Sequence, residues 1–139
     1  MDEKTWREFI LSGTRTGKLA TVKPSGVPHV VLIWFLMEEN SIYFTSGDST
    51  VKTKNLLANP RASLCIDAED YPYAFDSLEC DAVVERLAPE ELLPYAVKPG
   101  ARYCGEARAE EFGKRNAVAG EVLIRLQPTK VIPWAGMPE

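Results

Sequence analysis

The sequence contains few residues of the kinds that bind metals or form cross-links. Among its 139 residues there are three cysteines and one histidine. Cys65, Cys80 and Cys104 are widely spaced and include no CxxC pair, which argues against a zinc site and fits a reducing compartment. Cys65 lies in the apolar stretch ASLCID, where we expect a buried thiol rather than a reactive one.

A basic excess and a long apolar run are also missing. The formal net charge of −4 argues against a nucleic-acid partner, which usually meets a basic surface. No apolar run approaches the roughly 18 residues of a membrane span, so we expect no membrane partner. The first residues, MDEKTWREF, lack the apolar stretch of a secretory signal, and we expect a cytoplasmic protein. The length fits one domain, residues 1–139.

The first half of the sequence predicts one short helix and three strands. Asp2 can cap a helix over residues 4–12. KLATV, PHVVLIWFLM and SIYFTS read as consecutive strands joined by the turns KPSG and EEN, which predicts an antiparallel meander. The near-continuous apolarity of PHVVLIWFLM is typical of a strand that is covered on both faces.

The second half continues this pattern. A helix over residues 49–58 should end before Pro60, because proline disfavours helix at the preceding residue. RASLCIDA and DSLECDAVVERL read as the fourth and fifth strands, and two helices split by KPG follow between Pro89 and Asn116. EVLIRL and KVIPWAG read as the last strands, the second broken by Pro133. Six or seven strands joined mostly by turns favour a small antiparallel β-barrel.

The stretch TSGDSTVKTKNL, residues 45–56, gathers hydroxyl and ammonium groups where a strand meets a helix. If Ser49 begins the helix, the first backbone N–H groups and the positive end of the helix dipole point outward on the side of Lys52. Such a helix start is suited to binding an anion. Lys54 lies two residues on and faces elsewhere. An ordinary solvated helix start explains the same residues equally well, so the stretch alone leaves both interpretations open.

Three segments occur in a family-like order across residues 17–134: LATV…G.PHVV, YFTSG…K.KNL…NPRASL and ARYCGEARAEEF. Together they resemble the split β-barrel flavoproteins of the pyridoxamine 5'-phosphate oxidase-like superfamily. They are most similar to the branch that uses flavin or the deazaflavin F420. The resemblance implies a mainly β, FMN-binding type of split barrel with a few helices. It also implies a homodimer that holds the cofactor in a groove between its two barrels.

The same resemblance implies roles for individual residues. Lys52, with the hydroxyls of Ser49 and Thr50, would hold the cofactor phosphate. The other implied cofactor contacts are Val31, Leu32, Ile33, Trp34, Thr45, Ser46 and Asn55, with Trp134 reaching the ring from the partner subunit. Some relatives carry an arginine where this chain has Thr50, which leaves the choice between FMN and F420 open.

The resemblance implies an oxidoreductase, with F420 favoured as cofactor, that transfers hydride to or from a small conjugated substrate. The alternatives are an FMN-dependent oxidase or reductase, and a non-catalytic protein that binds flavin or heme. No side chain stands out as a general acid, so the catalytic residues stay unassigned. We interpret His29 as structural. Tyr71, Tyr73 and Phe75 could form a substrate lid or only cover one end of the barrel.

Overall fold

The computed structural model describes residues 2–138, which form four helices and one seven-stranded antiparallel sheet. The helices are α1 (Glu3–Leu11), α2 (Val51–Ala58), α3 (Pro89–Cys104) and α4 (Glu106–Asn116). The strands are β1 (Gly17–Val22), β2 (Pro28–Ile33), β3 (Leu36–Glu38), β4 (Ser41–Gly47), β5 (Arg61–Asp67), β6 (Phe75–Glu85) and β7 (Glu121–Trp134). The predicted mainly β, antiparallel fold class is confirmed. None of the helices within residues 2–138 is long and apolar enough to cross a bilayer.

The sheet rolls up until its two edges almost meet. The strand order is β2-β1-β5-β6-β7-β4-β3, so β2 and β3 are the edge strands. Only Trp34 and Phe35 separate them in the sequence. The hairpins β1–β2 and β3–β4 follow the prediction, but the continuous meander was wrong, because PHVVLIWFLM is two strands and β2 does not pair with β4. At the bend, Phe35 enters the core while Trp34 stays partly exposed.

Alternating side chains fill the barrel. The strands contribute buried apolar residues such as Leu19, Leu64 and Leu78, as period-two alternation requires. Helix α1 adds Trp6 and Ile10 to the same core. As predicted, Asp2 caps this helix: its carboxylate accepts a hydrogen bond from the Thr5 N–H at 2.8 Å.

The two C-terminal helices pack against each other at close range. Helix α3 runs without a break through Pro94 and Pro99, so the predicted split at KPG was wrong, and the chain turns instead at Gly105, where φ is +90°. A Cβ at Gly100 would lie 2.9 Å from the Cβ of Phe112. The absence of that atom lets the helices approach closely, and this packing outweighs the helix-breaking tendency of proline.

Strand β7 is also continuous, although it contains two prolines. It pairs with β6 over its length, with an irregularity opposite Glu79 and Cys80. Its pairing with β4 ends at Leu126. Beyond that residue β7 has a single neighbour, so Pro128 and Pro133 occupy what is locally an edge strand, where the missing N–H costs no ladder bond. The predicted break at Pro133 was therefore wrong.

Candidate functional site

The junction between β4 and α2 differs by one residue from its predicted form. The helix begins at Val51, and Thr50 is the N-cap, whose hydroxyl accepts from the Thr53 N–H. Ser49 lies in the preceding turn and is exposed. The prediction that Ser49 begins the helix was wrong because Thr50, not Ser49, has the extended backbone of a capping residue. The predicted end of the helix at residue 58, before Asn59 and Pro60, is confirmed.

The hydroxyl groups at this junction bond mainly to one another. The Thr50 hydroxyl lies 3.1 Å from that of Ser46 and 2.9 Å from that of Thr53. Thr50 and Thr53 also donate to the carbonyl oxygen of Gly47, at 3.0 and 2.8 Å. Ser46 and Thr53 are buried. These side chains tie the end of β4 to the start of α2, and they use their donors inside the protein.

Asn55 has a similar structural position. Its side chain is buried, and its amide nitrogen donates to the Thr21 hydroxyl at 3.0 Å. Because Thr21 lies on β1, this bond fixes the orientation of α2 on the barrel. Asn55 thus stabilises the junction by joining α2 to β1.

Lys52 points to the other side of the junction, into a cavity of about 240 Å³. Five of the residues for which the resemblance implied cofactor contact line this cavity: Leu32, Ile33, Trp34, Thr45 and Lys52. The sequence reasoning did not identify the remaining lining residues, which are Phe44, Pro99, Phe112 and Asn116. The volume lies below the roughly 300–1,000 Å³ of typical small-molecule pockets.

Lys52 is a half-buried cation without an ion-pair partner. Among residues 2–138, no carboxylate oxygen lies within 4.0 Å of its ammonium nitrogen. Burial lowers the pKa of Lys52, and the negative charge of Glu121 partly opposes this shift. Lys54 is exposed, as predicted from its place on α2. The cavity therefore contains one desolvated positive charge at the start of a helix, where an anion would be stabilised.

Trp34 forms an aromatic wall of the cavity. Its ring stacks on Tyr103 at a centroid distance of 5.0 Å and on Phe112 at 5.3 Å. These partners come from α3 and α4, so the helical hairpin determines where the indole ring lies. Phe112 ends the stretch ARYCGEARAEEF, and this segment was therefore the available signal for the wall that the sequence analysis missed.

Other singled-out residues lie away from this cavity. The Trp134 ring packs against Phe75 at 5.2 Å, near the end of β7. Val31 faces the barrel core. Arg61 is exposed, and its nearest carboxylate contact is Asp81 at 3.9 Å. Further exposed aromatic residues, Tyr71 and Tyr73, lie edge to face in the β5–β6 loop.

A family model described as pyridoxamine 5'-phosphate oxidase matches residues 2–135. The chain belongs to this family. Among solved structures, the conserved hypothetical protein Rv2991 from Mycobacterium tuberculosis is 26% identical with a TM-score of 0.82, covering 100% of this chain and 90% of its own. An F420 reductase is 29% identical with a TM-score of 0.71, and the match covers 90% of this chain and 94% of the reductase chain. The heme storage protein HutZ from Vibrio cholerae is 20% identical with a TM-score of 0.67, and the match covers 93% of this chain and 89% of the HutZ chain. At this identity the likeness shows the fold alone.

Proposed function

We propose that this family member is an oxidoreductase that binds a flavin-type cofactor, with F420 favoured over FMN. It would transfer hydride to or from a small conjugated substrate. The observation that carries the proposal is Lys52, a half-buried ammonium group that lines the cavity and has no carboxylate within 4.0 Å among the described residues. Keeping such a charge desolvated is costly unless an anion joins it.

The residues around Lys52 fit the parts of such a cofactor. The first N–H groups of α2 and the Lys52 ammonium suit a phosphate group. The Thr45 hydroxyl lies on the same wall, where a polar side chain of the cofactor would pass. Trp34 and Ile33 offer an apolar surface for a flat ring. A bound flavin or deazaflavin supplies the hydride chemistry, while the protein binds and orients it and excludes water.

A second copy of the chain would complete the site. Val30 and Leu32 are 66% and 65% exposed on the edge strand β2, next to the cavity. Apolar side chains this exposed on neighbouring outward positions favour burial against a partner. The small volume of the cavity supports the same arrangement. In this homodimer, the exposed ring of Trp134 would approach the cofactor from the partner chain.

Two observations favour F420 over FMN. The similarity to an F420 reductase reaches 29% identity over 90% of this chain. In addition, Lys52 is the one charged residue among the described residues that line the cavity, which leaves no second cation to clamp a short phosphate. Lys54 and Arg61 are exposed outside the cavity, where the longer anionic tail of F420 could reach them.

Heme storage is less well supported by the cavity. Heme iron needs an axial ligand, commonly histidine. The single histidine, His29, does not line the cavity. It lies four residues before Ile33 on β2, about 13 Å along an extended strand.

Titration of purified protein with F420 and with FMN, followed by fluorescence quenching, tests the proposal. We expect both to bind, F420 more tightly, and reduced F420 to lose its hydride to a conjugated acceptor in the presence of the protein. Binding of FMN without F420 would favour the FMN-dependent alternative. Binding of either cofactor without hydride transfer to any acceptor of this type would favour a non-catalytic flavin carrier. Binding of neither would refute the proposal.

A further inference from the structure

Glu121 lies beside the cavity on the same face of the sheet as Thr45. It is the first residue of β7 and is paired with Gly47, the last residue of β4. Two positions earlier on β4, Thr45 is paired with Leu123. Directly paired residues of antiparallel strands project to the same face, and so do residues two apart on one strand. The side chain of Glu121 therefore lies on the face of Thr45, at the end nearest the start of α2.

The carboxylate of Glu121 lies over Gly47. A Cβ added to Gly47 would lie 3.3 Å from Oε2 of Glu121 and 3.3 Å from the methyl carbon of Thr50. Since Thr50 is the N-cap of α2, Glu121 stands at the helix start that carries Lys52. Glycine at position 47 leaves the space that this carboxylate uses. Burial raises the pKa of Glu121, and the Lys52 ammonium opposes the shift.

The other charged groups around Glu121 do not neutralise it. Asp48, from the loop before α2, raises the pKa of Glu121 further. Asp48 is itself paired with Arg86, which follows β6, at 3.4 Å. Lys52 on α2 is thus the cation that acts on Glu121, although their charged atoms are more than 4.0 Å apart.

We propose that the Glu121 carboxylate, which lies at the start of α2 without contacting Lys52 directly, acts on Lys52 as a counterion at a distance and repels an incoming phosphate group, so that Glu121 sets the affinity and pH dependence of the site. The inference rests on the proposed function in one respect: it takes Lys52 as the residue that binds the cofactor's phosphate. Two anions would then share one ammonium group. Their repulsion favours the protonated form of Glu121 in the complex, so binding takes up a proton and weakens as the pH rises.

Inorganic pyrophosphate tests this without any flavin. Calorimetry in two buffers of different ionisation enthalpy gives both the affinity and the protons taken up. At about pH 8 we expect Glu121→Gln to bind pyrophosphate about three- to tenfold more tightly than the wild type, since a repulsion of roughly 1 kcal/mol is removed. At lower pH, where the Glu121 carboxyl group titrates, the variant should take up fewer protons than the wild type. Glu106→Gln removes one exposed carboxylate from α4 and controls for net charge.

An affinity of Glu121→Gln equal to that of Glu106→Gln, or weaker than that of the wild type, would overturn the inference. If Glu121→Gln does not fold, Lys52→Met decides the question, because NMR titration should then show a higher pKa for the Glu121 carboxyl group. An unchanged pKa would refute the pairing. If pyrophosphate behaves as expected while neither F420 nor FMN binds, the proposed function fails and the counterion role stands. If the cofactors bind equally well to wild type and Glu121→Gln, the counterion role alone fails.

Discussion

The Arg102 guanidinium group donates to the carbonyl oxygen of Phe35 at 2.7 Å and so joins α3 to the bend between β2 and β3. It also donates to the carbonyl oxygens of Ile10 at 2.9 Å and Gly13 at 3.0 Å. The adjacent Tyr103 donates its hydroxyl to the Arg15 carbonyl oxygen at 2.8 Å. The C-terminal end of α3 therefore holds both the end of α1 with its following loop and the bend at Trp34 and Phe35. The indole ring of Trp34 extends from this bend and forms the wall of the cavity.

Removal of this anchor should cost the protein much of its stability. Arg102→Ala removes a donor from three carbonyl groups, of which those of Phe35 and Ile10 are part-buried, and each unpaired buried acceptor costs about 1–3 kcal/mol. We expect a loss of about 2–6 kcal/mol in the free energy of unfolding, measured by urea denaturation. The matched control is Arg108→Ala on α4, where an exposed pair with Glu111 at 3.5 Å is lost and less than about 1 kcal/mol should change. Similar losses in both variants would show that Arg102 is not an anchor.

The fold could be predicted from the sequence where local patterns and tertiary packing agree. The β1–β2 turn and the end of α2 follow from proline and glycine chemistry, and both were predicted. The bend at Trp34 and Phe35 could not be predicted, because both residues favour strands and the anchor that bends the chain lies far away, at Arg102. The continuity of β7 through Pro133 was missed for a similar reason: whether proline interrupts a strand depends on whether a neighbour needs its N–H, and β4 ends too early to need it.

For the candidate site, the sequence pointed to five residues that line one cavity, namely Leu32, Ile33, Trp34, Thr45 and Lys52. The helix start and the family resemblance together pointed to Lys52, and the resemblance alone pointed to Trp34. Neither the internal bonding of Ser46 and Thr50 nor the neighbouring carboxylate of Glu121 could be foreseen, since both depend on how β4 meets α2 and β7. A hydroxyl that caps a helix and one that binds phosphate look the same in a sequence.

A second prediction concerns the exposed edge strand. If a second copy covers β2, the wild type should sediment at twice the chain mass at micromolar concentration. Leu32→Glu places a charge on that surface and should yield monomers, because burying an unpaired carboxylate is unfavourable. Leu57→Glu is the matched control, since Leu57 is 52% exposed on α2, and it should leave the mass unchanged. A wild type that sediments as single chains would rule out the shared site.

A third prediction concerns Asp76, a carboxyl group inside the barrel. The side chain is fully buried, and neither carboxylate oxygen has a hydrogen-bond partner among the described residues. Burial raises its pKa to about 6 from 3.8, although Arg15 opposes the shift. The folded protein thus binds this proton more tightly than the unfolded chain does. Stability therefore falls as the pH rises from about 4 to about 6.

Asp76→Asn removes this titration while it keeps the shape of the side chain. Above about pH 6 the variant should exceed the wild type in stability by about 3 kcal/mol, which corresponds to two pKa units. The advantage should disappear below about pH 4, where the carboxyl group is neutral in both states. Urea unfolding of both proteins across this pH range measures the difference in their free energies of unfolding. The contributions of the other carboxylates cancel in this difference. A difference that does not change with pH would show that Asp76 has an ordinary pKa.

The last prediction compares Lys52 with Lys54, which lie two residues apart on α2 and carry the same charge. Lys52 lines the cavity, whereas Lys54 is exposed on another face of the helix. Lys52→Ala should weaken cofactor binding by about 1.5–3 kcal/mol, the range for hydrogen bonds to charged groups. This loss is roughly ten- to a hundredfold in Kd, measured by fluorescence titration. It should persist when the salt concentration is raised, because a partly buried contact is screened weakly.

Lys54→Ala should cost much less, and its small effect should vanish at high salt, since it acts through solvent. Without cofactor, Lys54→Ala should leave the temperature of thermal unfolding nearly unchanged, because an exposed lysine contributes little to stability. Lys52→Ala should not lower this temperature either, because this substitution removes a desolvated charge. Equal losses of affinity would mean that the net charge of α2 matters and that the direction of Lys52 does not. Unchanged affinity in Lys52→Ala would leave the start of α2 as a capped helix without an anion site, and the phosphate would have to be held elsewhere on the barrel.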